Sequence, residues 1–274
     1  MNAIEATAAI EASGLVKSYG DARAVDGLDL RVATGESFAL LGPNGAGKTT
    51  TLGMLTTLVT PDAGTARVAG ADVVREARRV REGIGIVFQD PTLDAHLTVA
   101  ENLRFHAMLY DLPRRHARSR IDALLERFGL ADRRDALVRT LSGGLRRRVE
   151  LVRSLVHEPR VLFLDEPTIG LDPRARAAFA DVLDELRLED ELTVVLTTHY
   201  LAEADDCTRV AIMDAGRLVA CDAPATLRAS HGPGASLDDV FLALTGRTIT
   251  DDDATMSRGD AGRLQDRQRS GPGR

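Results

Sequence analysis

Cysteine is scarce in this sequence: 274 residues carry two, Cys207 and Cys221. Their separation matches neither a metal site nor a CxxC pair, which sets aside zinc modules and thiol redox chemistry. Two incidental thiols suit a reducing compartment. Long apolar runs are missing too. No stretch approaches the ~20 residues that cross a bilayer, so any membrane role comes through a partner. The opening MNAIEATAAIEASG carries glutamates and no basic stretch, and does not read as a secretory signal. No repeat of solenoid period runs through the chain. Positive charge is in deficit: 35 Lys and Arg against 41 Asp and Glu leave a net charge of -6. That argues against a general nucleic-acid binder. The last stretch, TDDDATMSRGDAGRLQDRQRSGPGR, has almost no large apolar residues. It is expected to be a disordered tail, 247–274, beyond a folded domain of 1–246.

Apolar residues make up 44% of the chain, enough for a substantial core. GESFALLGP reads as a buried strand running into a glycine turn. The helix expected after it places Leu52, Leu55 and Val59 on one face. IGIVFQD, VLFLDEP and LTVVLTTH are short apolar runs with polar ends, the habit of buried parallel strands. RVAIMDAGRLVACD reads as a hairpin about a glycine turn. Residues 98–140 show no strand pattern, and Ile121, Leu124, Leu125 and Phe128 fall at helical spacing. A helical insertion in an α/β core follows, with ligand chemistry at strand ends.

GPNGAGKTT fits G-x-x-x-x-G-K-[ST] through Gly42, Gly47, Lys48 and Thr49. Glycines let successive backbone N–H groups turn inward on an anion. The helix that follows adds its N-terminal dipole. Lys48 brings a point charge to the β- and γ-phosphates, and Thr49 a hydroxyl for Mg²⁺. A glycine turn joining strand to helix would satisfy the pattern alone. Its place after a strand and before a helix favours a nucleotide site. VLFLDEPT then supplies Asp165 and Glu166 at a strand end. The aspartate suits a hydrated Mg²⁺, and the glutamate can orient or deprotonate an attacking water. Gln89 and His199 end their own strands in the same way. Each alone reads as an ordinary strand-end polar residue; together with the phosphate loop they form a constellation.

These residues resemble the nucleotide-binding domain of ABC transporters, over roughly residues 10–246. GPNGAGKTT looks like Walker A, so that Gly42, Pro43, Asn44, Gly45, Ala46, Gly47, Lys48, Thr49 and Thr50 would bind ATP. VLFLDE looks like Walker B. Gln89 is similar to the Q-loop glutamine, LSGG at Leu141–Gly144 to the signature, GLDP at Gly170–Pro173 to the D-loop, and His199 to the switch histidine. Tyr19 stands where the family stacks an aromatic on adenine, although by itself it is a plain strand-end tyrosine. Asp172-Pro173 also reads as a helix N-cap with proline at the first position. The resemblance implies a P-loop NTPase fold: a RecA-like α/β core, an antiparallel β subdomain, and an inserted helical subdomain at about 90–160. It implies ATP with Mg²⁺ held by Thr49, Gln89 and Asp165, and catalysis by Lys48, Glu166 and His199. It also implies a head-to-tail dimer in which Ser142, Gly143 and Gly144 and the Asp172 loop complete the other copy's site. A separate membrane permease would then seat the protein on the cytoplasmic face of the membrane.

Leu145 departs from the family's usual glutamine, and with the arginines behind it resembles exporters of the daunorubicin-resistance type. SLDDVFLALTGR resembles the C-terminal end of that subgroup. It also reads as a closing amphipathic helix with Leu237, Val240, Phe241 and Leu244 inward. Arg146, Arg147 and Arg148 are consecutive and fan around their helix. They are expected to be solvated or partner-facing, and no nucleic acid is expected. The alternatives are a soluble ABC ATPase without a membrane partner and a P-loop kinase outside the family. Repair-type ATPases bear coiled-coil or zinc insertions, and a kinase would lack both LSGG and the strand-end histidine.

Overall fold

A computed structural model describes residues 8–190 and 192–248. The expected tail thus lies almost wholly outside the described residues. Two sheets organise the chain. The first is antiparallel, in the order β2-β1-β4-β5, from β1 (Ala8–Tyr19), β2 (Ala22–Ala33), β4 (Ala63–Val68) and β5 (Ala71–Asp72). The second has the order β10-β9-β3-β8-β7-β6, from β3 (Ser37–Leu41), β6 (Ile84–Val87), β7 (Val161–Asp165), β8 (Thr193–Thr198), β9 (Arg209–Asp214) and β10 (Arg217–Asp222). Its neighbours pair in parallel from β6 to β9, and β10 closes the edge as an antiparallel hairpin partner.

Strands β3, β7 and β8 are buried along their whole length. This explains their unbroken apolar runs, since both faces need covering. Side chains alternate between two cores. Phe38, Leu40, Val161, Phe163 and Val195 face α1 (Lys48–Leu55) and the antiparallel sheet. Leu41, Leu162, Leu164, Val194 and Leu196 face the helices on the other side. Burying side chains of this size contributes about 1.5–3 kcal/mol each, so this six-stranded sheet is the rigid frame that holds the strand ends.

Helices fill residues 98–157: α3 (Val99–Leu109), α4 (Arg114–Arg127) and α5 (Gly143–Leu155). Ile121, Leu124 and Leu125 are buried on α4, and Phe128 is buried at its C-cap, as their spacing predicts. Thr98 starts α3 with a capping box to Glu101. Further elements are α2 (Ala77–Gly83), α6 (Pro173–Asp190), α7 (Leu201–Asp205), α8 (Pro224–Ser230) and α9 (Leu237–Thr245). Leu237, Val240 and Phe241 of α9 are buried, and Leu244 packs against the same core.

One expectation fails locally. Helix α1 stops at Leu55, so Val59 is not on its face. Thr57 takes a left-handed φ of 68° and breaks the helix. The N–H groups of Leu58 and Val59 both reach back to Gly53 O at 2.9 Å. Val59 therefore arrives by a turn, and packs where a Cβ on Gly53 would stand 3.0 Å away.

Candidate active site

Strand β3 delivers the chain to the phosphate loop, and the loop needs its glycines. A Cβ on Gly42 would stand 2.5 Å from Met213 O. At Gly47, φ is +100° and a Cβ would meet Ala24 O at 2.4 Å. The Gly216 N–H donates to Ala46 O at 3.1 Å, which pins the loop from the β9–β10 turn. Gly47 offers no side-chain cap, so nothing from the N-cap covers the first N–H groups of α1. Asn44, Gly45 and Thr49 are exposed, Pro43, Gly47 and Thr50 half-buried, and Ala46 buried.

Lys48 is only 4% exposed. Its Nζ donates to Gly42 O at 2.7 Å and Pro43 O at 3.2 Å, and stands 3.5 Å from Glu166 Oε1. His199, 2% exposed, faces the same carboxylate, with Nδ1 3.5 Å from Glu166 Oε2. Neither imidazole nitrogen makes a hydrogen bond, so a buried polar ring is aimed into the cluster. Burial works to raise the Glu166 carboxyl, but His199 and the Lys48 charge outweigh it and the net shift is downward. Glu166 therefore stays ionised. Its φ is +44°, a left-handed conformation that is costly for a side chain of this length. The Glu166 N–H donates to Thr197 O at 3.1 Å and to Thr197 Oγ1 at 3.0 Å, which holds the turn.

Asp165 is almost fully buried at the end of β7. Its Oδ1 accepts from Thr197 Oγ1 at 2.5 Å and from Thr49 Oγ1 at 3.4 Å. Burial pushes this carboxyl up, partly offset by the Thr197 hydrogen bond. A desolvated carboxylate beside a hydroxyl is a donor set suited to a hard divalent cation. Gln89 is half-buried two residues beyond β6, whose Val87 is in register with Leu164 of β7. It thus leaves the sheet beside Asp165 and Glu166.

The structure gathers Lys48, Thr49, Asp165, Glu166 and His199 and sets Gln89 at their rim. The other expected residues stand elsewhere. Tyr19 ends β1 on the antiparallel sheet, 39% exposed, with Lys17 Nζ 5.7 Å from its ring centroid. Ser142 caps α5, accepting the Leu145 N–H at 3.3 Å, and both it and Gly143 are exposed. Gly144 lies against α6, where a Cβ would stand 3.3 Å from Ala175 Cβ. Asp172 caps α6, accepting from Ala175 N at 2.9 Å, so the N-cap reading holds.

The expectation for the arginines is overturned at Arg147. Arg146 is exposed and Arg148 half-buried, donating to Phe128 O, but Arg147 is buried. The fan of three arginines sends this one inward, where backbone carbonyls and Glu150 match its fork of donors. Thr197 is a further site residue that no motif marks, although TT before His199 places a hydroxyl at the strand end.

The ABC transporter family model matches residues 25–169. The chain belongs to the ABC transporter family. It is 48% identical to daunorubicin resistance ATP-binding protein DrrA3 of Streptomyces coeruleorubidus, over 92% of this chain and 83% of that protein. It is 46% identical to Nod factor export ATP-binding protein I of Paraburkholderia xenovorans, over 82% and 74%. Among solved structures, cbiO1 of Clostridium perfringens, described as part of the ABC transporter complex cbiONQ, matches with a TM-score of 0.75. That match has 32% identity and covers 81% of this chain and 91% of the other. An ATP binding subunit of an ABC transporter matches with a TM-score of 0.77 at 31% identity, covering 86% and 98%. The two-sheet architecture is thus the ABC ATPase fold, and the family's chemistry is ATP hydrolysis.

Proposed function

We propose that this chain is the ATP-hydrolysing motor of an export transporter, working as a head-to-tail pair beneath a separately encoded membrane subunit. In this reading the nucleotide-binding domain spans 1–246, with its helical subdomain at about 90–160. The observation that carries the reading is the buried Lys48–Glu166–His199 cluster beside the phosphate loop, with the signature Ser142 exposed at a different helix start. The names of the relatives, daunorubicin resistance and Nod factor export, support the export direction. No helix among the described residues is long and apolar enough to cross a membrane. A peripheral place on the cytoplasmic face, reached through the permease, fits that.

The chain's own groups divide the work. The phosphate loop and the start of α1 present N–H groups and a dipole to the polyphosphate. Lys48 neutralises charge on the transferred group. Glu166, ionised and held by Thr197, orients and deprotonates the water, while His199 donates to the γ-phosphate. Thr49, Gln89 and Asp165 would hold Mg²⁺, which supplies charge neutralisation across the β- and γ-phosphates when bound. Tyr19 stacks on adenine. Ser142, Gly143, Gly144 and Asp172 serve the second copy's nucleotide: Ser142, Gly143 and Asp172 are exposed and Gly144 is half-buried, at the starts of α5 and α6.

Ser142→Arg tests the trans arrangement. It should stop hydrolysis while the monomer still binds ATP. Mixing it with Lys48→Ala rebuilds one site without either lesion, and ATPase activity should partly return. Wild-type turnover by Ser142→Arg alone would overturn the trans reading.

A further inference from the structure

Arg147 lies five residues after the Ser142 cap, on the inner side of α5. Nε donates to Pro167 O at 2.5 Å. Nη1 donates to Phe88 O and, at 2.9 Å, to Glu150 Oε2. Nη2 reaches Asp165 O at 3.3 Å and Glu166 O at 3.4 Å. One guanidinium thus binds the carbonyls of residues 165, 166 and 167, where β7 ends and Glu166 turns through positive φ. It also binds the residue before Gln89. Glu150, 3% exposed, continues the link: its Oε1 accepts the Thr92 N–H at 2.9 Å. Arg153 Nη2 adds a bond to Thr92 Oγ1 at 2.6 Å. Three side chains of one helix, Arg147, Glu150 and Arg153, therefore grip both sides of Gln89 and the turn that aims Glu166.

A buried pair of this kind is costly to desolvate, and well-packed apolar residues of similar volume often stabilise as well or better. Packing alone does not call for it. The bonds end on backbone carbonyls whose position changes with the turn, and a rigid helix carries that position to Ser142.

We propose that Arg147, held by Glu150, is a positioning residue that couples the chain's own Glu166 and Gln89 to the signature loop it offers its partner. The inference rests on the proposed trans role of LSGG. A change in the Asp165–Pro167 turn would tilt α5 and move Ser142, Gly143 and Gly144, so each chain reports the state of its own site to its partner's. A lysine at this position keeps the charge and loses the fork.

The test uses the full chain carrying Arg147→Lys and, separately, Arg147→Met with Glu150→Leu, which removes both members of the buried pair together. The probes are a fluorescent ATP analogue for monomer affinity, steady-state ATPase, and ATP-driven dimerisation in the Glu166→Gln background. Both variants should lose at least tenfold in kcat while monomer Kd stays within twofold. Dimerisation should need at least tenfold more ATP. A general loosening of the fold would instead raise Kd in step with the loss of kcat, and that result overturns the proposal. So does kcat within twofold of wild type. If the double variant does not fold, Arg147→Lys decides by the same criteria. The proposed function fails on a different result: wild-type turnover by Ser142→Arg, with Glu166→Gln monomeric in saturating Mg-ATP.

Discussion

The ends of the parallel strands and the helical region both bury polar groups, but by different routes. At the strand ends, the groups come from short contiguous runs, GKT, DE and TTH, delivered to one rim by strands in register. In the helical region they come from residues far apart in sequence. His106 of α3 meets His157 beyond α5, 51 residues on, and Arg147 meets Phe88, 59 residues back. A sheet edge concentrates chemistry that a helix face scatters. In the proposed reading the first arrangement performs the reaction, and the second ties the moving parts together.

If that division is right, lesions at the rim should abolish chemistry outright, and lesions in the helical region should tune it. Lys48→Ala should have the largest effect. It removes the charge at the phosphates and the cation 3.5 Å from Glu166. ATPase activity should fall by at least about 10²-fold, with nucleotide binding lost in the same fluorescence titration. Near-normal turnover would break the assignment. Glu166→Gln should be more selective. The turn survives, since its bonds are made by the Glu166 N–H. Binding should persist while kcat falls by roughly 10²-fold or more, and the variant should collect as an ATP-bound dimer on size exclusion.

The contrast also decides what the sequence reveals. The rim was legible because a phosphate loop demands fixed glycines, and because buried strands keep their polar residues for the ends. Gly42 and Gly47 are irreplaceable for reasons of contact, so the pattern and the geometry coincide. The long β1–β2 hairpin was not read from periodicity. Its alternation is clean from Leu28 to Val32 and broken elsewhere, because the register shifts between Ala12 and Leu15 and between Leu15 and Val16. Gly14 and Gly27 take positive φ there. The inward turn of Arg147 was invisible for a different reason. Consecutive arginines on a helix look solvated until the carbonyls they satisfy are known. The one local signal was Glu150, an acid among apolar neighbours three residues on.

The smallest expected effect tests the helical region's own chemistry. His157 Nε2 lies 2.8 Å from Ile84 O and so carries the proton there. Its Nδ1 is left to accept from His106 Nε2 at 3.3 Å. Tyr110 stacks on His157 with centroids 3.8 Å apart. Arg153 of α5 and Arg81 of α2 add positive charge around the rings. Both imidazoles are therefore held neutral. Burial, then the neighbouring His157 and Arg153, pushes His106 down to about 3, and burial lowers His157 as well. In the unfolded chain both titrate near 6.5. Below that value the unfolded state binds more protons than the native state, so stability present above pH 6.5 is lost as pH falls. Between pH 7.5 and 5.5 His106 can cost up to about 1.4 kcal/mol, or roughly 3–6 °C in Tm for a chain of this size, and His157 adds a loss of the same sign. Carboxylates titrate mostly below this window. His106→Phe keeps an aromatic ring against Tyr110, 4.8 Å from it in the native pair, and removes one titration. The variant should therefore lose less Tm than wild type across the window. Equal losses in the two proteins would show that this cluster does not carry the acid sensitivity. A loss of ATPase activity at pH 7.5 in the same variant would show that the helical region does more than tune.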